Sequence, residues 1–261
     1  MAHKVYTAPA KINIFLKLIG RKPNGYHLIA SRFIRHEPLS DKMWFEKTGR
    51  EGFEVVGDFG CPSSDNTIMR ALVSLSKLYP SKRLFDFTTA HKVVVYKEIP
   101  SGAGLGGASS NAATFLMMIN ETAALGLDGE ALKTVGVSVG ADVPFFLSGL
   151  ASANVSGIGE TIAPFNEPPL AIELKTVPIC CETPKVYQAF RQRFSDQMEA
   201  SARHAEKLLE MPSRAALESG YPEELNDLLL PALKSYPELM EFREEGWFMS
   251  GSGSTFFRVK K

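Results

Sequence analysis

The sequence predicts an α+β fold, in which strands and helices alternate without the regular strand–helix–strand rhythm of a doubly wound sheet. Three observations favour this class. Segments with alternating or β-branched apolar residues, typical of strands, occur near both ends of the chain. Apolar residues at helical spacing follow a glycine-rich turn. The chain has 261 residues, 44% of them hydrophobic, which is enough for one large domain or two small ones with a hydrophobic core.

The first half of the chain contains two predicted strands, a turn and two predicted helices. Lys11–Ile19 alternates apolar and polar residues and Lys92–Ile99 is rich in valine, so both predict strands. Pro100–Gly107 is the glycine-rich turn. Ser109–Leu125 carries apolar side chains at helical spacing, and Asp128–Val139 predicts a second helix.

The second half predicts further elements of both types. A strand is predicted over Leu170–Val177, and helices are predicted over Lys185–Leu209 and within Pro222–Glu245. The end of the chain predicts two strands, Trp247–Met249 and Phe256–Val259, joined by a turn of small residues.

Composition and charge exclude several classes of partner. Lysine plus arginine and aspartate plus glutamate both number 29, so no overall field favours nucleic acid or an anionic membrane. No stretch approaches ~18 uninterrupted apolar residues, so no transmembrane helix is expected. The start of the chain has no apolar run of signal-peptide length. We therefore expect a cytoplasmic protein that binds a small molecule. A monomer and a homodimer both stay open.

The three cysteines, Cys61, Cys180 and Cys181, form a poor disulfide framework, because their number is odd and two are adjacent. No Cys-x-x-Cys spacing indicates a zinc site. We expect reduced thiols, as in a cytosolic protein.

The glycine-rich turn carries the strongest chemical signal. Its glycines lack a Cβ atom, so a ligand can approach the backbone closely, and their N–H groups can form an anion-binding concavity. A helix follows directly, and a helix N-terminus favours phosphate. Two serines at the helix start can cap it, meet a phosphate oxygen or hold a magnesium ion. The segment comprises Pro100, Ser101, Gly102, Ala103, Gly104, Leu105, Gly106, Gly107, Ala108, Ser109 and Ser110.

Other interpretations of this turn are weaker. Gly102-x-Gly104-x-x-Gly107 also matches a dinucleotide-binding fingerprint, which requires an acidic residue ~20 positions further on, at the end of a strand. Asp128 has that spacing but follows a predicted helix. A Walker A loop is excluded, because no Gly-Lys-Ser/Thr follows. A turn that only packs a helix on a sheet is the remaining alternative.

Six motifs in order resemble those of the GHMP kinases, a family named for galactokinase, homoserine, mevalonate and phosphomevalonate kinases. The resemblance runs nearly from end to end, and six motifs in this order make chance similarity implausible. The motifs are Ala8–Leu16 followed by Gly25–His27, Pro100–Asn111, Gly140–Pro144, Gly157–Glu160, Asn226–Leu229 and Ser250–Gly253.

The resemblance implies a two-domain GHMP kinase fold. An ATP-binding domain of the ribosomal-protein-S5-domain-2-like type is expected over residues 1–150, and a smaller α+β substrate domain over 151–261. ATP with Mg²⁺ is the implied cofactor, with the ion near Ser109 but no direct side-chain ligand assigned. Within the family the chain most resembles the branch that phosphorylates a cytidine-diphosphate-linked methylerythritol.

Two residues are candidates for the chemical step. Asp142 follows a predicted helix end, where glycine and proline fix its carboxylate, and the resemblance implies that it is the base for the substrate hydroxyl. Lys11 lies in an apolar strand, where a buried lysine needs a partner or a cleft. The resemblance places it beside Asp142, where its charge would keep the carboxylate ionised. The alternatives are a turn aspartate and an edge-strand lysine.

The resemblance also implies a substrate site. Asn13, two residues after Lys11 on the same face of a regular strand, is expected to bind substrate. Tyr26 and His27 are expected to meet the cytidine base by stacking and by an edge hydrogen bond, with Tyr187 on the other side of the base. Ordinary packing is the alternative for these aromatic residues.

The resemblance places the adenosine near Asn66, Lys97 and Asn111. Asn111 lies one turn into the phosphate-binding helix. Asn66 equally suits the N-cap of a helix that starts at Thr67. The turn Ser250–Thr255 is expected at the substrate cleft, and a plain hairpin turn is the alternative.

The chain departs from the family at two places: Ala108 replaces a usual glycine, and the part after residue 150 is short. Three other functions compete with this one: another GHMP kinase acting on homoserine or mevalonate, a nucleotide-binding sensor without catalysis, and a dinucleotide oxidoreductase. Gly25–His27 and Tyr187 suit a nucleobase better than a small acid. Retention of both Lys11 and Asp142 argues against a silent sensor.

Overall fold

Two long strands, β1 (Tyr6–Arg21) and β2 (His27–Lys47), contribute residues to both of the units into which the chain divides. The computed structural model describes residues 3–49, 52–60 and 66–260. The first unit comprises the described parts of Met1–Ala10, His36–Ser101 and Gly106–Gly149, and the second those of Lys11–Arg35, Gly102–Leu105 and Leu150–Lys261. The domain boundary near residue 150 stays a prediction.

The other strands are much shorter than β1 and β2. The strands are β3 (Val55–Val56), β4 (His91–Tyr96), β5 (Ser152–Ser156), β6 (Thr161–Pro164), β7 (Ile172–Lys175), β8 (Phe248–Met249) and β9 (Phe256–Val259). The α-helices are α1 (Thr67–Leu78), α2 (Lys82–Ala90), α3 (Gly107–Thr122), α4 (Gly129–Val139), α5 (Val143–Leu147), α6 (Thr183–Arg193), α7 (Met198–Glu210), α8 (Ser213–Ser219), α9 (Pro222–Leu225) and α10 (Leu229–Ser235). Within the described ranges, no helix is both long and apolar enough to cross a membrane.

In the first unit, helices α1, α4 and α5 pack on α3. Strand β4 pairs antiparallel with the end of β2 and parallel with β3. The apolar face predicted for α3 is confirmed, because Phe115, Leu116 and Ile119 are fully buried. Each such side chain contributes roughly 1.5–3 kcal/mol by burial, which fixes the helix that follows the glycine-rich turn.

The second unit contains two sheet regions. Ser31–Ile34 of β2 pairs antiparallel with β5, which pairs with β6. Strands β7, β9 and β8 form a separate antiparallel sheet in that order. Met249 pairs with Phe256 across the small-residue turn, so the predicted pair of strands at the chain end is confirmed.

The helix predicted over Lys185–Leu209 is interrupted. Phe194 leaves the helical conformation, with φ −124° and ψ 3°, and a 3₁₀ turn over Ser195–Gln197 separates α6 from α7. Serine and aspartate side chains compete with helical backbone hydrogen bonds, so the Ser195-Asp196 pair explains why the polar helical pattern breaks here.

A fully buried arginine, Arg32, holds the end of α7 within the second unit. Its guanidinium donates to the carbonyls of Leu209 at 2.8 Å and Met211 at 2.6 Å, and to Asn154 Oδ1 at 2.8 Å. A cation suits these unpaired carbonyls at a helix C-terminus. Burial lowers the pKa of Arg32 to about 10, so the side chain stays charged at neutral pH. Arg32 was not among the residues predicted from the sequence to have a role.

Cys180 and Cys181 are free thiols. Burial raises the pKa of Cys181 to about 12, so this thiol stays protonated and unreactive at neutral pH. Cys61 lies outside the described residues.

Candidate active site

The glycine-rich turn leads directly into α3, and its backbone requires glycine at several positions. The φ angles of Gly102, Gly104 and Gly106 are 64°, 73° and 71°, in the left-handed region that side chains disfavour. A Cβ atom on Gly107 would lie 2.9 Å from Ile99 Cγ2. These glycines therefore set the path of the loop and let neighbouring backbone approach it closely.

In the first unit, α3 begins at Gly107 and has Gly106 as its N-cap. Ser109 and Ser110 lie inside the first turn, so neither caps the helix, and of the three possible roles of these serines, contact with a phosphate oxygen or with a magnesium ion is left. Ser110 Oγ is buried and has no hydrogen-bond partner among the described residues. A helix start without a capping side chain, next to an unpartnered hydroxyl, has the groups that bind a phosphate.

Ala108 is the second residue of α3, and it is exposed to solvent. Its carbonyl accepts a hydrogen bond from Thr67 Oγ1 at 2.8 Å. Alanine in a helix is about 0.5–1 kcal/mol more favourable than glycine. The departure from the family's loop therefore stabilises the start of the helix.

Asn66 is the N-cap of α1, and its side chain accepts a hydrogen bond from Ile68 N at 2.9 Å. The capping role that the sequence allowed is confirmed. Since Thr67 contacts the carbonyl of Ala108, this cap lies next to the start of α3. A role for Asn66 toward adenosine stays a prediction.

Two substitutions of Asn66 distinguish its role as the N-cap of α1 from a role in binding adenosine. Asn66→Ala is expected to lower the free energy of unfolding by ~1 kcal/mol, because a backbone N–H loses its acceptor. Asn66→Asp keeps a capping oxygen and is expected to retain stability, but it loses the amide donor. Urea unfolding and ATP titration of both variants measure the two effects. Equal destabilisation by both substitutions would contradict the capping role.

Lys97 and Asn111, both predicted near adenosine, lie together in the first unit. Lys97 Nζ donates to Asn111 Oδ1 at 3.0 Å. Both side chains also bond to Asp41, a fully buried residue of β2 that was not among the predicted site residues. The predicted pair is therefore part of a cluster around one carboxylate.

Asp142 lies between α4 and α5, at the N-cap position of α5, and is half-buried. Gly140 ends α4, and Pro144 occupies the first turn of α5, where its missing N–H costs nothing. A Cβ atom on Gly140 would lie 3.7 Å from Ser109 Oγ. The Gly140–Pro144 motif therefore begins beside the first turn of α3.

In the second unit, Lys11 is buried, with an exposed fraction of 4%, so it is not an edge-strand lysine that reaches into water. Its ammonium donates to Asn13 Oδ1 and, at 3.0 Å, to the carbonyl of Gly104. It also lies 4.8 Å from the centre of the Phe33 ring. The shared face predicted for Lys11 and Asn13 is confirmed, and the lysine is fixed against the glycine-rich loop.

The turn between β8 and β9 packs on the same loop segment. Ser250 Oγ donates to the carbonyl of Gly104 at 3.0 Å and accepts from Asn13 N at 3.1 Å. Asn226 Nδ2 in turn donates to the carbonyls of Met249 and Gly251, at 2.8 and 2.9 Å. The turn is thus a hairpin that also holds the backbone of Gly104, and Asn226 holds the hairpin.

The residues predicted to meet a nucleobase also lie in the second unit. Tyr26 is 61% exposed, whereas His27 is buried. The rings of His27 and Tyr187 have centres 5.4 Å apart, and Phe190 meets His27 edge-on at 5.5 Å. Burial lowers the pKa of His27, with smaller contributions from the positive charges of two arginines. The imidazole is therefore neutral at neutral pH and offers one donor and one acceptor.

The chain matches the family model described as GHMP kinases N terminal domain over residues 66–150. A 4-diphosphocytidyl-2-C-methyl-D-erythritol kinase from Sulfurimonas denitrificans is 44% identical, over 100% of this chain and 98% of its own length. One from a Sulfurovum species is also 44% identical, over 97% of this chain and 98% of its own length.

A crystal structure of 4-(cytidine 5'-diphospho)-2C-methyl-D-erythritol kinase matches the fold with a TM-score of 0.74 at 29% identity. The match covers 99% of this chain and 90% of that structure. It confirms the α+β class and the GHMP kinase fold. The likeness extends well beyond the residues that the family model covers. The chain therefore belongs to the GHMP kinases, among the 4-diphosphocytidyl-2-C-methyl-D-erythritol kinases.

Proposed function

We propose that this chain transfers the γ-phosphoryl group of ATP to the 2-hydroxyl of 4-diphosphocytidyl-2-C-methyl-D-erythritol, in non-mevalonate synthesis of isoprenoid precursors. The strongest support is 44% identity to a kinase named for that substrate over 100% of this chain. In the reaction, the hydroxyl oxygen bonds to the γ-phosphorus, the bond from that phosphorus to the β–γ bridging oxygen breaks, and ADP leaves.

Asp142 is the proposed acceptor of the hydroxyl proton, and Lys11 is the proposed cation that keeps this carboxylate ionised, as the family resemblance implies. An ionised aspartate is a weak base, so the proton moves late, as the new phosphorus–oxygen bond forms. Placement and electrostatics then contribute more than basicity. The bonds from Lys11 to Asn13 and Gly104 support this role, because a charge held in place needs no reorganisation during the reaction.

The proposed phosphate site includes the glycine-rich loop and the start of α3, with Mg²⁺ as the companion of ATP. Mg²⁺ keeps several waters and takes few protein oxygens beside those of the phosphates. The hydroxyls of Ser109 and Ser110 fit such a site, and the one on Ser110 lacks a partner among the described residues. When bound, the ion offsets the negative charge of the phosphates.

Tyr26, His27 and Tyr187 are the proposed contacts of the cytosine, with Asn13 toward the sugar alcohol. The buried His27 ring and its neighbour Tyr187 offer an aromatic surface beside a hydrogen-bonding edge. Stacking of a base on an aromatic ring is worth ~1–3 kcal/mol. We propose accordingly that a cytidine-linked alcohol is preferred as substrate over a small acid. We also propose that the enzyme is cytoplasmic.

An assay of ADP release against three alcohols tests the proposed function. Turnover is expected with 4-diphosphocytidyl-2-C-methyl-D-erythritol and not with mevalonate or homoserine. Activity on mevalonate or homoserine alone would assign the chain to another branch of the family. ATP binding without turnover of any of the three would favour a sensor.

His27→Ala is expected to weaken inhibition by CDP about tenfold, the effect of one hydrogen bond worth ~1.4 kcal/mol. The reason is that a site built to pair a base edge loses that pairing when the imidazole is removed. Inhibition by CDP at saturating ATP measures the change, and the affinity for ATP is expected to stay as in the wild type. Absence of inhibition of the wild-type enzyme by millimolar CDP would contradict the proposed cytosine site.

A further inference from the structure

We propose that Asp41 is a positioning residue of the nucleotide site, which holds the Lys97 ammonium at the start of α3 and ties together the two ends of the glycine-rich loop. The inference rests on the proposed function, in which Lys97 and Asn111 serve ATP. Asp41 itself lies in β2, with an exposed fraction of 0%, so it acts through its neighbours and not by touching the nucleotide.

The carboxylate of Asp41 accepts hydrogen bonds at both oxygens. Oδ1 accepts the backbone N–H groups of Glu98 at 2.7 Å and Ile99 at 2.8 Å. Oδ2 accepts from Asn111 Nδ2 at 2.8 Å and from the Lys97 ammonium. Because these bonds involve an ionised group in a buried place, they are stronger and more rigid than bonds between neutral groups.

The bonded groups flank the loop on both sides. Lys97, Glu98 and Ile99 directly precede Pro100, where the loop begins, and Asn111 lies one turn into α3, where the loop has ended. One carboxylate therefore sets the distance between the strand that enters the loop and the helix that leaves it. Loss of this anchor changes the path of the loop from its ends, without altering any glycine.

The ion pair between Asp41 and Lys97 also has an electrostatic effect at the start of α3. A Cβ atom on Gly107, the first residue of α3, would lie only 3.5 Å from Lys97 Nζ. The N-terminus of a helix carries a partial positive charge, so a cation there is unfavourable without an anion. Asp41 supplies that anion within the protein. The Lys97 side chain is 13% exposed, which leaves it accessible to a negatively charged ligand.

A purely structural role predicts a different outcome. If Asp41 only stabilised the core, its replacement would lower the free energy of unfolding and leave the affinity for ATP of the folded molecules unchanged. If Asp41 places Lys97, the two residues share one contribution to ATP binding. The effects of replacing them are then not additive, which a double-mutant cycle measures.

The experiment measures binding of a non-hydrolysable ATP analogue with Mg²⁺ by calorimetry, in wild type, Asp41→Asn, Lys97→Met and the double variant. In Asp41→Asn the side chain loses its charge, and its NH2 group replaces one of the two oxygens that accept hydrogen bonds, so the Lys97 ammonium is held less firmly. Each single substitution is expected to weaken binding about tenfold, and the double variant is expected to match Lys97→Met within about twofold. Steady-state assays of Asp41→Asn are expected to show a raised KM for ATP, with kcat and the KM for the alcohol within about threefold of wild type.

Glu98→Gln is the matched control, because Glu98 is an acidic neighbour that pairs with Lys42 at an exposed place. It is expected to bind the analogue as the wild type does. Wild-type affinity in Asp41→Asn, or additive losses in the cycle, would overturn the proposal.

If Asp41→Asn does not fold, Asp41→Glu keeps the charge but moves it by one methylene, and is expected to weaken binding at least about threefold. Unchanged affinity in Asp41→Glu would then overturn the proposal. Since the cycle uses no alcohol substrate, its failure is distinct from a failure of the proposed function, which appears as absent turnover by the wild type.

Discussion

Turnover by the Asp142→Asn variant is expected to fall at least ~10²-fold, the lower end for loss of a general base. The substitution keeps the size of the side chain and removes the negative charge that accepts the hydroxyl proton. The Asp142 side chain makes no capping hydrogen bond to α5, so α5 is expected to form normally in the variant. Initial rates at saturating ATP and alcohol, with ATP affinity measured separately, report the effect.

Asp128→Asn is the control for this substitution. Asp128 lies in the same unit and is the N-cap of α4, where its side chain accepts from Ala131 N at 2.9 Å. Asparagine keeps that bond, so the control removes the same charge without removing a cap. Near-wild-type turnover in Asp142→Asn, or an equal loss in Asp128→Asn, would contradict the assignment of Asp142 as the base.

Local patterns in the sequence predicted the elements that their own residues determine. The apolar spacing of α3 predicted the side chains that are buried, and the small residues after Met249 predicted the turn between β8 and β9. The boundaries were less accurate, since α3 starts two residues before the predicted Ser109. The reason is that glycine and alanine at its start contribute no apolar period, although the backbone is already helical.

Contacts between distant parts of the chain were outside the reach of these patterns. The bond between Ser250 and Gly104 joins residues 146 positions apart. Nothing in the spacing of either motif indicates the other. The sequence therefore predicted a glycine-rich loop and a hairpin turn, and the structure shows that the second holds the first.

The sequence around Asp41 contains a pattern that indicates a buried carboxylate. Asp41, Met43 and Phe45 alternate along β2, and Met43 is fully buried. Because side chains two apart share one face of a strand, the alternation placed a carboxylate on a buried face. A buried carboxylate requires hydrogen-bonding or charged partners. The pattern therefore indicated a polar cluster, although it could not name Lys97 and Asn111 as its members.

Gly104→Val is expected to weaken binding of a non-hydrolysable ATP analogue by roughly 10- to 10²-fold, the effect of losing one hydrogen bond to a charged phosphate, worth about 1.5–3 kcal/mol. Gly104 has a φ of 73°, which a branched side chain resists. A Cβ atom there would also lie 2.1 Å from the carbonyl oxygen of Ser250 and 2.9 Å from that of Gly253. Both atoms are backbone, so the loop itself must move. Isothermal titration of the folded variant measures the loss.

Gly126→Val is the control that distinguishes the effect of the steric clash at Gly104 from the effect of backbone strain. Gly126 has the same φ of 73°, but a Cβ atom there would have no heavy atom of a described residue within 4 Å beyond its own chain neighbours. Both substitutions carry the left-handed strain of roughly 1–2 kcal/mol, and only the one at Gly104 displaces the loop. The control is therefore expected to be less stable than the wild type and to bind ATP normally. Wild-type affinity in a folded Gly104→Val protein would exclude Gly104 from the phosphate site, and equal losses in both variants would attribute the effect to strain alone.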